Sequence, residues 1–291
     1  MNLSDYVDIV PIMKGWSNEK KFCVTDQNGK KFFLRISSLD SYENKKKLFN
    51  IMSEVSKLNI SMNQPIEFGL CDQGVYFIER WINGIDAKES IPLKSKTEQY
   101  QFGIMAGKIL KKIHSISAPE DIEDWDTHYN SKIDRKIAGY NECRLKLNCG
   151  EKIIEYINSN RNIIKDRPQC LQHGDFHIEN MIIENNENIS IIDFGRFDYG
   201  DPWEEFNRII WSAYISPYFA SGIIDGYFNY LPPLKFWKLL LLYAGTNTLA
   251  SISWGNNGLS DLKVMMRYAE SFYYSTNGMT NIIPNWYKQL K

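Results

Sequence analysis

Paired cysteines are missing from this chain. Cys23, Cys71, Cys143, Cys149 and Cys170 are scattered and odd in number, and no C-x-x-C spacing occurs. That argues against a disulfide framework and predicts reduced thiols in a cytoplasmic protein, acting as small buried hydrophobes. An excess of one charge is missing too. The formal net charge is -1, so nothing points to nucleic acid or a membrane surface as partner. The first residues, "MNLSDYVDIV", have neither a basic flank nor a long apolar run, so no secretory signal is expected. The most apolar stretch, residues 236–254, contains Lys238 and several polar residues, and reads as a buried core helix rather than a membrane span. No internal repeat or low-complexity tract is visible.

What is present is ordinary globular material: 291 residues, 43% hydrophobic and 24% charged, enough for one large domain or two lobes. Residues 21–36 predict a β-hairpin. Asn28-Gly29 is placed to take the positive φ angles of a tight turn, Phe32, Leu34 and Ile36 share one strand face, and Phe33 and Arg35 share the other. Residues 40–58 predict a helix on the spacing of Leu48, Ile51, Met52 and Val55. Two more strands are expected at 65–71 and 75–82, around an Asp72-Gln73-Gly74 turn. Beyond Gly84 the texture becomes helical: 96–115, most of 130–165, and again from about residue 203. An acidic loop is expected at 119–126. The expected class is α+β, with a small β-rich lobe over 1–83 ending in an inter-lobe link and a larger, mainly helical lobe over 84–291. A cleft between them is the expected ligand site.

Two stretches carry the chemistry. "LQHGDFHIENMII" spans 171–183 and "IIDFGRFDYGDPWEEF" spans 191–206. Acids and an amide are fenced by isoleucine, leucine and phenylalanine, a pattern of polar groups held rigidly at the edge of a core. Residues 182–192 read as a hairpin with its turn near Glu187-Asn188, which would return Asp193 towards Asn180. A carboxylate and an amide oxygen are hard ligands suited to magnesium, with Asp175 beside them as acid or base. Gly174 and Gly195 permit the sharp turns such packing requires. Either motif alone is weak; order, spacing and flanks together make the signal.

"HGDFHIEN" followed by "IIDFGR" resembles the catalytic core of the aminoglycoside phosphotransferase family, small-molecule kinases whose fold is similar to that of protein kinases. The resemblance extends over nearly the whole chain in lobe order and is specific at 171–206. It implies a bilobal protein-kinase-like fold using ATP or GTP with Mg2+. It implies Asp175 as the catalytic base and Asn180 and Asp193 as magnesium ligands. His173 would brace the catalytic loop, and Glu205, where the family usually has aspartate, would support it from below. His177 is left open between phosphate contact and packing, and Asp201 is read as a cap or turn residue. Arg35 occupies a strand position where the family usually has lysine. It would grip the phosphates with a helix acid as partner, Glu43 preferred over Glu54. Phe33 would lie against adenine or else belong to the core. Arg80, Trp81 and Ile82 would pass the adenine as the link, and Ile192 would floor its pocket. Glycine is scarce where a phosphate loop belongs: "MKGWSNEKKF" has only Gly15, with Ser17 and Asn18 as donors.

Phosphoryl transfer needs neutralised charge on the phosphates and an aligned nucleophile, and this residue set supplies both. The expected reaction is transfer of a γ-phosphate to a hydroxyl of a small molecule by a monomer or weak dimer. Aminoglycosides lead on resemblance alone; macrolides, choline-like amines, sugars and amino acid derivatives stay open. A protein kinase is disfavoured by the lack of an "APE"-like segment, and a pseudokinase by the intact Asp175, Asn180 and Asp193. Acids at Glu120, Asp121, Glu123, Asp124 and Asp126, and at Asp201, Glu204 and Glu205, are the groups a polycationic acceptor would need near the cleft.

Overall fold

Alternating apolar residues and short turns produce the first sheet. The structure, a computed structural model, describes residues 6–13, 19–256, 258 and 261–290. Strands β1 (Tyr6–Pro11), β2 (Lys20–Asp26), β3 (Lys31–Ser37), β4 (Pro65–Cys71) and β5 (Gly74–Arg80) form an antiparallel sheet in the order β1-β2-β3-β5-β4. The β2–β3 turn is built differently from the expected Asn28-Gly29 pair. Only Gly29 takes a positive φ, +78°, and the Asp26 carboxylate accepts from the Asn28 and Lys30 amides, both at 2.9 Å. An Asx turn therefore removes the need for a left-handed Asn28.

One sheet face buries Val24, Leu34, Ile36, Tyr76 and Ile78, the face expected for Leu34 and Ile36. The other holds Phe33, Arg35 and Phe77. Helix α1 (Tyr42–Ser56) buries Leu48, Met52 and Val55, each contributing about 1.5–3 kcal/mol. Its Phe49 meets Phe77 edge to face at 5.7 Å, on the Arg35 side of the sheet.

The chain divides into two compact units, 1–85 with 182–195, and 86–181 with 196–291. The segment joining the first unit late is the hairpin of β8 (Met181–Glu184) and β9 (Asn188–Ile191), which with β6 (Gly84–Asp86) makes a three-stranded sheet. Its turn centres on Asn185 and Asn186, at φ +49° and +62°, not on Glu187-Asn188. Two successive positive φ angles are what a tight hairpin turn demands, and asparagine tolerates them better than glutamate. Hydrogen bonds between Ile191 and Ser61, and between Asn63 and Ile191, attach the hairpin to the segment before β4.

The second unit is mainly helical: α2 (Ala87–Ser90), α3 (Lys96–Ile113), α4 (Trp125–Glu142), α5 (Gly150–Asn160), α6 (Ile209–Ile215), α7 (Pro217–Phe228), α8 (Leu234–Asn256) and α9 (Leu262–Ser275). A Ser95/Glu98 capping box starts α3. Small residues let α3 and α7 approach closely, for a Cβ on Gly103 would stand 2.1 Å from the Phe219 carbonyl oxygen. The expected acidic loop is shorter than predicted. The Asp124 carboxylate caps α4 by accepting from the Thr127 amide at 3.0 Å, and Asp126 lies in the first turn, where the helix dipole favours acids. Helix α8 is buried along most of its length. Among the described residues no helix is long and apolar enough to cross a membrane.

Candidate active site

Two short strands present the central loop of the second unit. β7 (Cys170–Gln172) pairs antiparallel with β10 (Asp198–Gly200), and the chain turns sharply at Gly174 (φ +83°). A Cβ there would lie 1.7 Å from the Arg196 carbonyl oxygen, so no other residue fits without moving the loop. Beneath the turn, buried Glu205 accepts from the Gly174 amide at 3.0 and 3.1 Å and from the Phe176 amide at 3.4 Å. His173 is fully buried and its Nδ1 accepts from the Asp175 amide at 3.2 Å. Arg208 donates from Nη1 to the Gly174 carbonyl at 2.9 Å.

The loop holds Asp175 in a cationic cradle. Oδ1 lies 3.3 Å from His177 Nε2 and 3.1 Å from Arg208 Nε, and Oδ2 lies 3.7 Å from Arg196 Nε. Burial raises the carboxyl pKa, but the His177 hydrogen bond and the charges of Arg208, His177 and Arg196 outweigh it, leaving the group well below the usual carboxylate range. His177 is buried, accepts at Nδ1 from the Glu179 amide at 3.4 Å and meets Trp211 edge to face at 5.0 Å. Asn180 donates from Nδ2 to the Asp175 carbonyl at 2.9 Å. This commits the amide nitrogen to the loop.

Asp201 does more than cap a turn. It is fully buried and bridged at both oxygens by Arg167, at 2.7 and 2.8 Å. It also accepts from the Tyr243 hydroxyl at 2.6 Å and the Trp203 amide at 2.9 Å. Glu204 pairs with Lys132 at 3.1 Å. Burial raises its pKa, yet Lys132 and Lys136 bring it below the ordinary value. The second group of acids expected to meet a polycation, Asp201, Glu204 and Glu205, is thus engaged inside the protein.

In the first unit, Arg35 is 5% exposed. Its Nε lies 2.9 Å from Glu79 and its Nη1 3.7 Å from Glu19, and its guanidinium covers the rings of Phe77 and Phe33 at 5.1 and 5.9 Å. Burial works against its charge, but Glu79, Glu19 and Asp193 hold its pKa above the ordinary arginine value. Glu79 is fully buried, and burial pushes its carboxyl up to about 7 against the pull of Arg35. The helix-acid expectation is therefore corrected. Glu43 and Glu54 are exposed on α1 and are not among the acids pairing with Arg35; an exposed helix acid cannot reach a cation sunk in the sheet. The helix instead contributes Lys45, which pairs with Glu19. Glu79 was identifiable in principle as the lone acid in an apolar strand. The register sets it directly opposite Phe33, on Arg35's face.

Asp193 is exposed and held at φ +66°, a conformation that costs energy outside glycine and clusters at functional positions. Ile192 precedes it, partly buried. Arg80 ties the end of β5 to Glu184 with bonds of 3.0 and 3.1 Å, and its amide donates to the Gln64 carbonyl at 2.8 Å. That N–H is therefore committed to the protein. Trp81 is partly buried and Ile82 buried. Gly15, Ser17 and Asn18 lie outside the described residues.

The loop geometry invites comparison with known proteins. A model of the phosphotransferase enzyme family matches residues 8–237. The chain belongs to that family. It is a phosphotransferase, a kinase with an alcohol group as acceptor. A comparison with curated proteins gives no match. Among solved structures the phosphotransferase is similar to the gentamicin complex of APH(2'')-IIa, at 19% identity and TM-score 0.65, covering 97% of this chain and 95% of that one. It is also similar to spectinomycin phosphotransferase APH(9)-Ia with ADP and spectinomycin, at 15% identity and TM-score 0.64, covering 94% of each chain. A thermostable mutant of aminoglycoside phosphotransferase APH(4)-Ia with ADP and hygromycin B matches at 15% identity and TM-score 0.66, covering 94% and 95%. At these identities the likeness establishes the protein-kinase-like fold.

Replacing Arg35 separates a phosphate ligand from a strand residue. Arg35→Ala is expected to weaken Mg–ATP binding far more than adenosine binding, with lysine restoring only part, because a point charge cannot reproduce a fork. Calorimetric titration of both ligands measures it; equal losses would reduce Arg35 to a structural role.

Proposed function

We propose that this phosphotransferase moves the γ-phosphate of ATP, or of GTP, to a hydroxyl of a small molecule through Asp175, Asn180, Asp193 and Arg35. The observation that carries the reading is the Asp175 loop, in which a carboxylate is held ionised and aimed by two arginines and His177 while Glu205 and Gly174 fix the backbone. The bond between the γ-phosphorus and its bridging oxygen breaks, the acceptor oxygen bonds to phosphorus, and the nucleoside diphosphate leaves with the electron pair. The hydroxyl proton passes to Asp175. A carboxylate held this far down is a weak base, so its main work is to orient the hydroxyl. That suits a loose phosphoryl-transfer transition state, in which the proton leaves late.

Asn180 and Asp193 fit magnesium on the chemistry of their donors. One is an amide oxygen whose nitrogen is already engaged, the other an exposed carboxylate, and both are hard ligands unsuited to zinc. Bound there, the ion would neutralise charge on the β- and γ-phosphate oxygens. Arg35 would grip the phosphates, Phe33 would lie along the base, and the backbone of Trp81 and Ile82, with Ile192, would complete the nucleotide site. The acceptors named for the similar structures are aminoglycosides, which makes that class the first to assay.

The test is a phosphorylation screen with ATP and GTP over hydroxyl compounds of differing charge, read by a mass gain of one phosphate. Transfer in the wild type and its loss in Asp175→Asn support the reading; nucleotide hydrolysis that is indifferent to Asp175 overturns it.

A further inference from the structure

A cavity of ≈ 200 Å3 lies inside the second unit, bordered by Gly174 and by Arg196 and Arg208, the two arginines that hold Asp175. Its volume falls below the roughly 300–1,000 Å3 of pockets for drug-sized ligands. Its charge is the informative feature. Four cations, Lys132, Lys136, Arg196 and Arg208, line it against two acids, Asp198 and Glu204. Even with Asp175 counted, positive charge is in excess.

Two of the acids are already engaged. Glu204 is buried and bound to Lys132, and Asp175 is shared by two arginines and His177; Asp198 is exposed and accepts from the Tyr199 amide at 2.8 Å. The aromatic faces that might receive an amine are covered by the protein's own cations, with Arg196 over Trp254 at 4.9 Å and Arg208 over Trp211 at 5.5 Å. Lys136 differs from the other three cations. It lies one helical turn from Lys132 on α4 and forms no ion pair with an acid among the described residues. Two buried amide atoms in the lining also lack hydrogen-bond partners, Asn247 Nδ2, a donor, and Asn207 Oδ1, an acceptor. A hydroxyl has the chemistry to satisfy either, accepting from the first or donating to the second.

Resting on the phosphotransferase reading above, we propose that the acceptor bears, besides its hydroxyls, an anionic group, a carboxylate or a phosphate ester, held by Lys136 in this cavity. Asn247 or Asn207 engages a hydroxyl of the same molecule. Burial and the neighbouring Lys132 push the Lys136 ammonium down to about 7 against the pull of Glu204, whose carboxylate is already paired with Lys132, and an entering anion would add counter-charge. A polycationic acceptor meets the opposite environment.

Gluconate, glucose 6-phosphate, glucose and glucosamine form a set of polyols differing in charge. Binding of each to the full-length protein with Mg–ADP, in weakly acidic buffer, is read by tryptophan fluorescence, since Trp211 and Trp254 line the cavity. Gluconate or glucose 6-phosphate is expected to bind about tenfold more tightly than glucose, as one added charge pair would give, with glucosamine weakest. The better of the two anions identifies carboxylate or phosphate as the group recognised. Lys136→Gln should abolish the preference while leaving glucose binding in place, and Lys136→Arg should restore it. Tighter binding of glucosamine, or no preference among the four (including no binding by any), overturns the proposal. Calorimetry of Mg–ATP on the same samples keeps the two claims apart: failure there removes the phosphotransferase mechanism without touching the charge preference.

Discussion

Asp175→Asn is expected to lower turnover about 100- to 10,000-fold, the usual worth of a positioned acid–base group, with Mg–ATP affinity nearly unchanged. The amide keeps the side-chain shape but loses the charge that His177, Arg208 and Arg196 hold in place. It can no longer take the hydroxyl proton. The sign of the pKa shift fixes the companion pH behaviour. A carboxylate whose folded pKa is depressed contributes stability above its ordinary value near 3.9, lost only as pH falls through the lower folded value. Asp175 therefore stays ionised across the range in which the protein is assayed, and its titration should not form the acid limb of the rate profile. Single-turnover phosphorylation beside calorimetry tests both. Equal loss of nucleotide binding would make Asp175 a ligand rather than a base, and near-normal turnover would remove it from the chemistry.

Asp201→Ala should cause the largest loss of stability, about 3–5 kcal/mol, because Arg167 would be left as a buried charge without its partner. The Tyr243 hydroxyl and the Trp203 amide would lose an acceptor at the same time. In thermal unfolding this corresponds to a fall in Tm on the order of 10 °C for a chain of this size. Adding Arg167→Met should recover part of the loss by removing the stranded charge. A change below about 1 kcal/mol would mean that Asp201 behaves as an ordinary turn residue.

Asp175, Asn180 and Asp193 stood out in the sequence because polar groups between isoleucines and phenylalanines must be held for a reason. The β3 face was legible from its alternation, and α1 from its apolar spacing. The partners of Arg35 were not. Glu79 lies 44 positions further along the sequence, and the register that sets it opposite Phe33 depends on how β5 pairs with β3. Glu43 looked preferable because it lies on the next helix, but exposure separates it from a buried guanidinium. Asp201 read as a cap or turn residue and Glu204 as an acid a polycation could meet, because in the sequence a carboxylate bound by Arg167 or Lys132 looks the same as a solvated one; the support role of Glu205 came from the resemblance. The hairpin turn was displaced towards Asn185-Asn186 because backbone handedness, rather than charge, selects a turn residue.

Magnesium-linked nucleotide binding is the most direct measure of whether this chain handles a triphosphate through Asp193. Calorimetric titration of ATP with and without magnesium should show strong metal dependence in the wild type and little in Asp193→Ala, with adenosine binding unaltered in both. Metal dependence that survives in Asp193→Ala, or is absent from the wild type, would contradict the account.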